Sequence, residues 1–182
     1  MKVERIKREL VRRGPILDIY EDTMQIDNGK IEKWDFVSHR MGAACVIPVL
    51  SDGRILMVRQ YRNALERETL EVPAGCRDSL TEDTLICAKR ELEEETGYHS
   101  ENINYLMSLK TTVAFCDEAI DVYMATDLIP GKQHLDESEE INVEAYSLEE
   151  LQDMIFAGKL QDSKTICAIM GYSTYIARKN EA

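Results

Sequence analysis

Acidic residues are concentrated in a short stretch near the middle of the chain. The stretch contains Arg90, Glu91, Glu93, Glu94 and Glu95. On a helix Glu91 and Glu95 stand four residues apart, where like charges repel by about a few tenths of a kcal/mol. Glu94 projects toward an overlapping arc, because spacings of three and four residues return to one face. Crowded carboxylates suit a hard divalent cation such as Mg²⁺, which shares oxygen ligands with substrate phosphates. From the cluster alone, the alternative interpretation is an acidic helix face exposed to solvent.

The acidic stretch closes a longer motif that begins at Gly75, with the sequence GCRDSLTEDTLICAKRELEEETGY. This segment resembles the Nudix box: glycine, five spacers, glutamate, seven spacers, then Arg-Glu-aliphatic-x-Glu-Glu-x-Gly-aliphatic. The second half matches from Arg90 to Gly97, and Glu82 stands seven spacers before Arg90. Two positions depart from the pattern. Six residues separate Gly75 from Glu82, within the predicted loop CRDSLT, and Tyr98 stands where an aliphatic residue is usual.

The resemblance implies chemistry for the acidic residues. Members of the Nudix family typically hydrolyse a nucleoside diphosphate linked to another group, using a divalent metal. Such a site must neutralise the pyrophosphate, orient a water molecule and lower the pKa of that water. The resemblance assigns the metal to Glu91, Glu94, Glu95 and the main-chain carbonyl of Ala74, with Mg²⁺ as the cofactor and Mn²⁺ as an alternative. Glu95 also belongs to the catalytic set, as does Arg90, which would orient the glutamates by charge-assisted hydrogen bonds.

Outside the box, residues 40–145 resemble the ADP-ribose pyrophosphatase branch of the family. The similarity rests on HRMGAACVIPV, on VRQYRNALERETLEVPAG and on an acidic loop after the box. In that branch the arginine of a Gln-aromatic-Arg segment contacts substrate phosphate, which assigns Arg62 to substrate binding. A guanidinium fork suits phosphate oxygens, although an ordinary surface arginine is the alternative. Glu71, just before the Pro-Ala-Gly segment, would be an additional metal ligand.

The acidic loop is where the branch keeps a glutamate that activates or positions water. A general base must reach its water, and a mobile loop can bring it there on closure. We assign this role to Glu139, with Glu137 and Glu140 as the alternatives.

Substrate specificity is less clearly encoded. ADP-ribose enzymes often carry a proline about sixteen residues after the box, where this chain has Ala114, whereas Glu118 matches an acid of the same stretch and is assigned to substrate binding. Trp34, Phe36 and Tyr61 are candidate platforms for a base. Trp34 is also assigned to substrate binding, because relatives form homodimers in which the N-terminal region reaches the partner's site. Plain packing is its alternative role.

The elements that would position these residues follow from hydrophobic periodicity. Residues 1–40 are predicted to be an N-terminal β region that could form a dimer, followed by a Nudix catalytic domain at 41–182. In the first region, ILDIYEDTMQI and KIEKWDFVSHR are strands joined by a turn at Asp27, Asn28 and Gly29. Because a lone hairpin is marginally stable, it should pack on the main body or on another subunit.

The remaining elements suggest a mixed sheet between helices. AACVIPVL and RILMVR are predicted to form a second hairpin around Ser51, Asp52 and Gly53. A helix should begin near Thr81, where Ser79 and Glu82 form a capping-box pattern, and end at Gly97, with the acids bordering the core. Further predicted elements are strands at 103–114, 119–126 and 141–147, a helix from the capping box of Ser147 and Glu150 to Gly158, and a helix at 163–178 with Ile166, Met170 and Ile176 in the core. The resemblance implies the same class, an α/β/α sandwich.

Composition limits the partners. The 34 acidic and 22 basic residues give a net charge of −12, which disfavours nucleic acid and anionic membranes. No signal peptide or membrane span is predicted. Five cysteines without a CxxC pair suggest reduced, mostly buried thiols in a cytoplasmic protein, and three scattered histidines suggest no zinc site.

The leading prediction is therefore Mg²⁺-dependent hydrolysis of ADP-ribose or a related nucleoside diphosphate sugar to a nucleoside monophosphate and a sugar phosphate. A second hypothesis keeps the chemistry for another substrate: a nucleoside triphosphate, a dinucleoside compound or coenzyme A. A third is a sensor that binds a nucleotide sugar without cutting it, which the intact Glu91, Glu94 and Glu95 disfavour.

Overall fold

The computed structural model of the protein describes residues 2–27, 29–135 and 140–181. The elements in chain order are β1 (Val3–Arg13), β2 (Leu17–Ile26), β3 (Ile31–His39), β4 (Ala43–Pro48), β5 (Ile55–Arg62), β6 (Arg67–Glu71), β7 (Ala74–Cys76), α1 (Thr84–Thr96), β8 (Tyr98–His99), β9 (Asn102–Lys110), β10 (Ala119–Thr126), β11 (Ile129–Pro130), β12 (Asn142–Tyr146), α2 (Leu148–Phe156) and α3 (Ser163–Asn180). They divide into two compact units, one formed by Met1–Gly42 with Lys110–Ala119 and one by Ala43–Leu109 with Ile120–Ala182.

The N-terminal unit is built on a three-stranded antiparallel sheet in the order β1-β2-β3. The predicted pairing of β2 with β3 is confirmed and runs from Leu17 opposite His39 to Gln25 opposite Ile31. Strand β1 was not predicted from the sequence, and it pairs with β2 along its whole length. Most residues of β1 are exposed, so the strand lacks the apolar alternation by which a half-buried strand is recognised.

The second unit contains the predicted mixed sheet, with the strand order β7-β4-β10-β9. Strand β4 runs parallel to β10 and antiparallel to β7. Alternate residues of β4 face opposite layers, because successive side chains of a strand point to opposite faces. Ala44 and Val46 pack with Ala88 and Leu92 of α1, whereas Cys45 and Ile47 belong to the cluster that includes α2 and α3 residues. The α/β/α layering is confirmed.

The predicted hairpin of β4 and β5 is wrong in its pairing. The turn is present, since the Leu50 N–H donates to Arg54 O at 2.8 Å, but β5 belongs to a separate sheet in the order β12-β5-β6. Val49, which follows β4, forms an isolated antiparallel bridge with Ile55 at the start of β5. Because all six residues of β4 are buried, its sequence carries no alternation from which a neighbour could be inferred.

Helix α1 begins three residues later than predicted. Asp83 is the N-cap and its side chain accepts from the Leu85 N–H, whereas Ser79 caps a preceding turn by accepting from the Glu82 N–H at 3.1 Å. The predicted end is confirmed, because Gly97 takes a left-handed φ of 74° and its N–H donates to Glu93 O.

The two C-terminal helices form as predicted, with a capping box at Ser147 for α2. Ile166 packs against the core as predicted, but the fully buried residues of α3 are Thr165, Ala168 and Ile169 and do not include Met170 or Ile176. No helix in the described ranges is long and apolar enough to span a membrane. The expectation of mostly buried cysteines is wrong, since Cys45 and Cys87 are buried, Cys76 and Cys116 are partly buried, and Cys167 is exposed.

Candidate active site

The carboxylate of Glu91 lies directly against the backbone of Gly75. A Cβ atom built on Gly75 would lie 2.0 Å from Glu91 Oε1, so only glycine leaves room for this arrangement. Glu91 projects from the middle of α1 and is 8% exposed. The expectation that Glu91 and Glu95 border the core without entering it is therefore wrong, because both are buried.

Arg90 holds the acidic stretch together. Its Nη1 donates to Glu91 Oε1 at 2.6 Å and to Glu94 Oε2 at 3.0 Å, and its Nη2 donates to Cys76 O at 2.9 Å. Burial opposes the charged guanidinium, but the charge of Glu91 and the hydrogen bonds to Glu91 and Glu94 outweigh it and raise the pKa of Arg90. The predicted orienting role fits these contacts.

The side chain of Glu95, on α1, is held by the backbone of β7. Its Oε2 accepts a 2.9 Å hydrogen bond from the Ala74 N–H, and the side chain is 4% exposed. The structure thus brings together Ala74, Glu91, Glu94 and Glu95, the four residues assigned to the metal. Their ligand role stays a prediction.

The extra residue between Gly75 and Glu82 does not remove Glu82 from the site. Glu82 Oε1 lies 3.5 Å from Arg90 Nε, and Glu82 Oε2 accepts from the Asp78 N–H at 2.7 Å. The inserted residue is accommodated in the turn before α1, so Glu82 still faces Arg90.

The segment leading into the acidic loop is anchored on the C-terminal end of α1. The His134 N–H donates to Glu94 O at 3.0 Å. The Gln133 side-chain amide donates to Glu95 O at 2.6 Å and to Ile141 O at 3.3 Å, which joins both ends of the loop. Glu140 is exposed, whereas Glu137 and Glu139 lie outside the described residues.

Arg62 and Glu71 form a bidentate pair between neighbouring strands. Arg62 Nε and Nη2 each donate to Glu71 at 2.7 Å. Thr69 Oγ1 donates to Glu71 Oε1 at 2.5 Å, and Lys164 Nζ donates to Glu71 Oε2. Each carboxylate oxygen therefore accepts two hydrogen bonds, which fills the acceptor sites of Glu71 and favours a buried ion pair over the metal ligand suggested from sequence.

Arg62 also lies within electrostatic reach of the metal-binding candidates. Its pKa is raised by the hydrogen bond to Glu71, which outweighs burial, with further contributions from the charges of Glu71 and Glu95. Nη1 makes no hydrogen bond within the described part of the chain. Arg62 is thus held by two nitrogens and presents a third, as a phosphate ligand would require.

Acid should destabilise the protein through Glu71. Burial alone would raise the pKa of Glu71, but the hydrogen bond from Arg62 and the charge of Lys164 lower it from 4.5 to about 2. Its stabilising contribution is therefore present above about pH 5 and is lost as the pH falls toward 2. The shift corresponds to about 3 kcal/mol of unfolding free energy.

Urea unfolding between pH 7 and pH 3 measures this dependence. Glu71→Gln should flatten the acid limb of the stability curve, whereas Glu68→Gln, an exposed site on the same strand, should leave it unchanged. Identical pH profiles for wild type and Glu71→Gln would contradict the prediction.

Two residues assigned to substrate binding lie in the N-terminal unit. Glu118 accepts from Thr111 Oγ1 at 2.6 Å and lies 3.7 Å from His39 Nε2. Trp34 is 44% exposed on β3 and its indole N–H donates to Glu32 at 3.1 Å. The Arg8 guanidinium lies 3.8 Å from the centroid of the Phe36 ring, and the role of Phe36 as a base platform stays a prediction. The roles of Glu118 and Trp34 stay predictions.

Comparison with known proteins identifies the family. The profile of the NUDIX domain matches residues 39–168, well over half of the chain. The chain belongs to the Nudix family.

Two relatives align over almost the whole Nudix chain. This chain is 36% identical over 166 residues to the ADP-ribose pyrophosphatase of Bacillus subtilis (strain 168). The alignment covers 90% of this chain and 89% of that protein. The chain is 37% identical over 166 residues to the methanol dehydrogenase activator of Bacillus methanolicus, with the same coverage. A crystal structure of an ADP compounds hydrolase matches with a TM-score of 0.89 over 100% of this chain and 98% of that one; at 19% identity it supports the fold.

The donor chemistry of the Nudix site fits a divalent metal. Carboxylates and a main-chain carbonyl are the hard oxygen ligands that Mg²⁺ and Mn²⁺ prefer. Oxygens of Glu91 and Glu94 both lie within hydrogen-bonding distance of one Arg90 nitrogen, and the absence of a side chain at Gly75 lets the Glu91 carboxylate take its position. Within residues 2–27, 29–135 and 140–181, however, no three acidic, histidine or cysteine side chains form a group that could hold a metal ion.

Lys164 was not singled out from the sequence, and Gln60 was given no role there. Lys164 lies far along the chain from Glu71, and a single lysine at a helix start carries no signal. Gln60 lies two residues before Arg62, and its buried Nε2 lacks a hydrogen-bond partner in the described part of the Nudix chain. The position of Gln60 in the Gln-aromatic-Arg segment was the sequence feature that could have drawn attention to it.

Proposed function

We propose that this chain is a divalent-metal-dependent pyrophosphohydrolase that cleaves ADP-ribose, or a related nucleoside diphosphate sugar, into a nucleoside monophosphate and a sugar phosphate. The observation that carries the proposal is the seating of Glu91 on Gly75 beside Arg90, Glu94 and Glu95. The near-complete alignment with a relative named ADP-ribose pyrophosphatase supports the choice of substrate.

The chain's own residues divide the work of hydrolysis. Bound at Glu91, Glu94, Glu95 and the Ala74 carbonyl, a divalent metal would neutralise the pyrophosphate and acidify water. Arg90 orients two of the carboxylates, because its guanidinium donates to Glu91 and to Glu94. The water oxygen forms a bond to one phosphorus, the bridging P–O bond breaks, and the leaving phosphate takes the electron pair.

Arg62 and the acidic loop complete the proposed site. Arg62, held by Glu71, would bind a substrate phosphate through its remaining nitrogen. Glu139 would accept the proton of the attacking water, which requires it to come within hydrogen-bonding reach of that water.

Single substitutions in the loop test the general base. Glu139→Gln should lower kcat by about 10²- to 10³-fold, because general-base catalysis contributes about that much. Glu137→Gln and Glu140→Gln should stay within about threefold of wild type. Steady-state turnover of the three variants is the measurement, and wild-type turnover in all three would show that the loop is not catalytic.

The proposal also covers the identity of the metal, the oligomeric state and the cellular location. We expect Mg²⁺ to serve as the metal with Mn²⁺ as a substitute, a homodimer in which Trp34 of one chain approaches the substrate of the other, and a cytoplasmic location. Sedimentation equilibrium and titration of each metal would test the first two expectations.

A substrate panel tests the function itself. Purified protein with Mg²⁺ is incubated with ADP-ribose, other nucleotide sugars, nucleoside triphosphates, dinucleoside polyphosphates and coenzyme A, and kcat/KM is compared for each. We expect ADP-ribose to be preferred. A preference for another compound would retain the chemistry and reject the substrate, and no turnover of any compound would favour a nucleotide-sugar sensor.

A second candidate function is suggested by the other relative that aligns over 90% of this chain, the methanol dehydrogenase activator. The chain is as similar to a methanol dehydrogenase activator as to a pyrophosphatase. Addition of the protein to methanol dehydrogenase, with Glu95→Gln as the matched control, tests this candidate. Stimulation by wild type alone would tie activation to hydrolysis, whereas equal stimulation by both would indicate a separate binding role.

A further inference from the structure

Lys164 is a buried cation in an electrostatically unfavourable place. It is the second residue of the 18-residue helix α3, and its side chain is 12% exposed. A cation is disfavoured at a helix N-terminus by the helix dipole, and burying it adds a desolvation cost. A lysine at this position therefore calls for specific partners that compensate both costs.

Two carboxylates supply that compensation. Lys164 Nζ donates to Glu71 Oε2, and to Asp162 Oδ2 at 2.9 Å. Burial lowers the pKa of Lys164, but the charges of Glu71 and Asp162 outweigh it and leave the pKa raised. The group formed by Arg62, Lys164, Glu71 and Asp162 has no net charge, and without Lys164 it would carry −1. A substrate phosphate approaching Arg62 would then meet a net negative group.

Glu71 transmits the position of Lys164 to Arg62. One carboxylate oxygen of Glu71 accepts from both Lys164 Nζ and Arg62 Nη2, while the other accepts from Arg62 Nε. The Arg62 fork is thus oriented before any ligand arrives. Prior orientation removes part of the entropy cost of binding, since a free arginine would lose its rotamer freedom on complex formation.

A different residue holds α3 against the sheet at this point. Thr165 Oγ1 accepts from the Val72 N–H at 3.0 Å and donates to Asp162 Oδ2 at 2.6 Å. The helix start is therefore attached next to Glu71 without the Lys164 ammonium. Loss of the ammonium should alter Glu71 and Arg62 more than it alters the fold.

We propose that Lys164 is a positioning residue that orients Arg62 through Glu71 for binding of a substrate phosphate. The inference rests on the proposed function, because it takes Arg62 as a phosphate ligand.

A double-mutant cycle tests this role. Binding of a methylene-bridged, non-hydrolysable ADP-ribose analogue is measured by calorimetry for wild type, Lys164→Met, Arg62→Met and the double variant, together with kcat and KM for ADP-ribose. Lys164→Met should weaken binding and raise KM by about tenfold with kcat within about threefold. The double variant should bind no more weakly than Arg62→Met, because residues that act through one contact are not additive. Lys164→Arg should restore binding to within about threefold.

Matched controls separate positioning from general stability. Arg59 forms a bidentate pair with Glu144 from the same strand as Arg62, so Arg59→Met removes a similar ion pair outside the network and should leave the affinity unchanged. If Lys164→Met fails to fold, Lys164→Gln takes its place in the cycle. Unchanged affinity without Lys164, or a double variant about tenfold weaker than Arg62→Met, would overturn the proposal. If wild type neither binds the analogue nor cleaves ADP-ribose, the proposed function fails, and the role of Lys164 with it.

Discussion

Replacing Glu95 with glutamine is expected to lower kcat by about 10³-fold while leaving the protein folded. The glutamine carbonyl can still accept the hydrogen bond from the Ala74 N–H, so the local structure is retained. What is lost is a negative charge at the predicted metal site. Losing the metal-dependent stabilisation of a charged transition state raises the activation free energy by several kcal/mol. An increase of about 4 kcal/mol corresponds to a 10³-fold lower rate.

The matched control for this variant lies on the same helix. Glu93→Gln makes the same chemical change at an exposed position and should keep wild-type turnover. Steady-state kinetics and thermal unfolding of both variants are the measurements. A Glu95→Gln enzyme that turns over at more than about a tenth of the wild-type rate would contradict a catalytic role for this carboxylate.

Replacing Gly75 with alanine is expected to lower kcat by about 10²-fold. The new methyl group would lie 2.0 Å from Glu91 Oε1, so the Glu91 carboxylate must leave its present position. Displacement would also break the 2.6 Å hydrogen bond from Arg90 Nη1 to Glu91. Misplacement of a catalytic group by about 1 Å can cost about 10²-fold in rate.

A second variant identifies the cause of that loss. In a Glu91→Gln background, Gly75→Ala should reduce kcat little further, because the group that it displaces has already lost its charge. The four proteins of this cycle are compared by kcat and by melting temperature. Independent, multiplicative losses would show that Gly75 acts through something other than Glu91.

The sequence predicted the helix of the site more fully than the sheets that frame it. The spacing of Ala88, Leu92 and Gly97 determines the buried face and the end of α1, because both depend on local geometry. The pairing of β4 with β10 instead of β5 depends on contacts distant in sequence, and a fully buried strand carries no alternation to reveal them.

The same division applies to the site. Glu91, Glu94, Glu95 and Arg90 were recognisable because a local motif contains them all. The contact of Lys164 with the Arg62–Glu71 pair joins α3 to the sheet. Lys164 and Glu71 are 93 positions apart in the chain, so no local pattern contains both. The contact of Glu91 with Gly75 likewise required coordinates, because the motif gives the order of residues and not the distance between them.

The most direct test of the central claim is product analysis with ADP-ribose. Purified protein is treated with EDTA, supplied with ADP-ribose with or without added Mg²⁺, and the products are separated by anion-exchange chromatography. We expect AMP and ribose 5-phosphate in equal amounts with Mg²⁺ and neither without it. Intact ADP-ribose in the presence of Mg²⁺, or equal cleavage in its absence, would contradict the account.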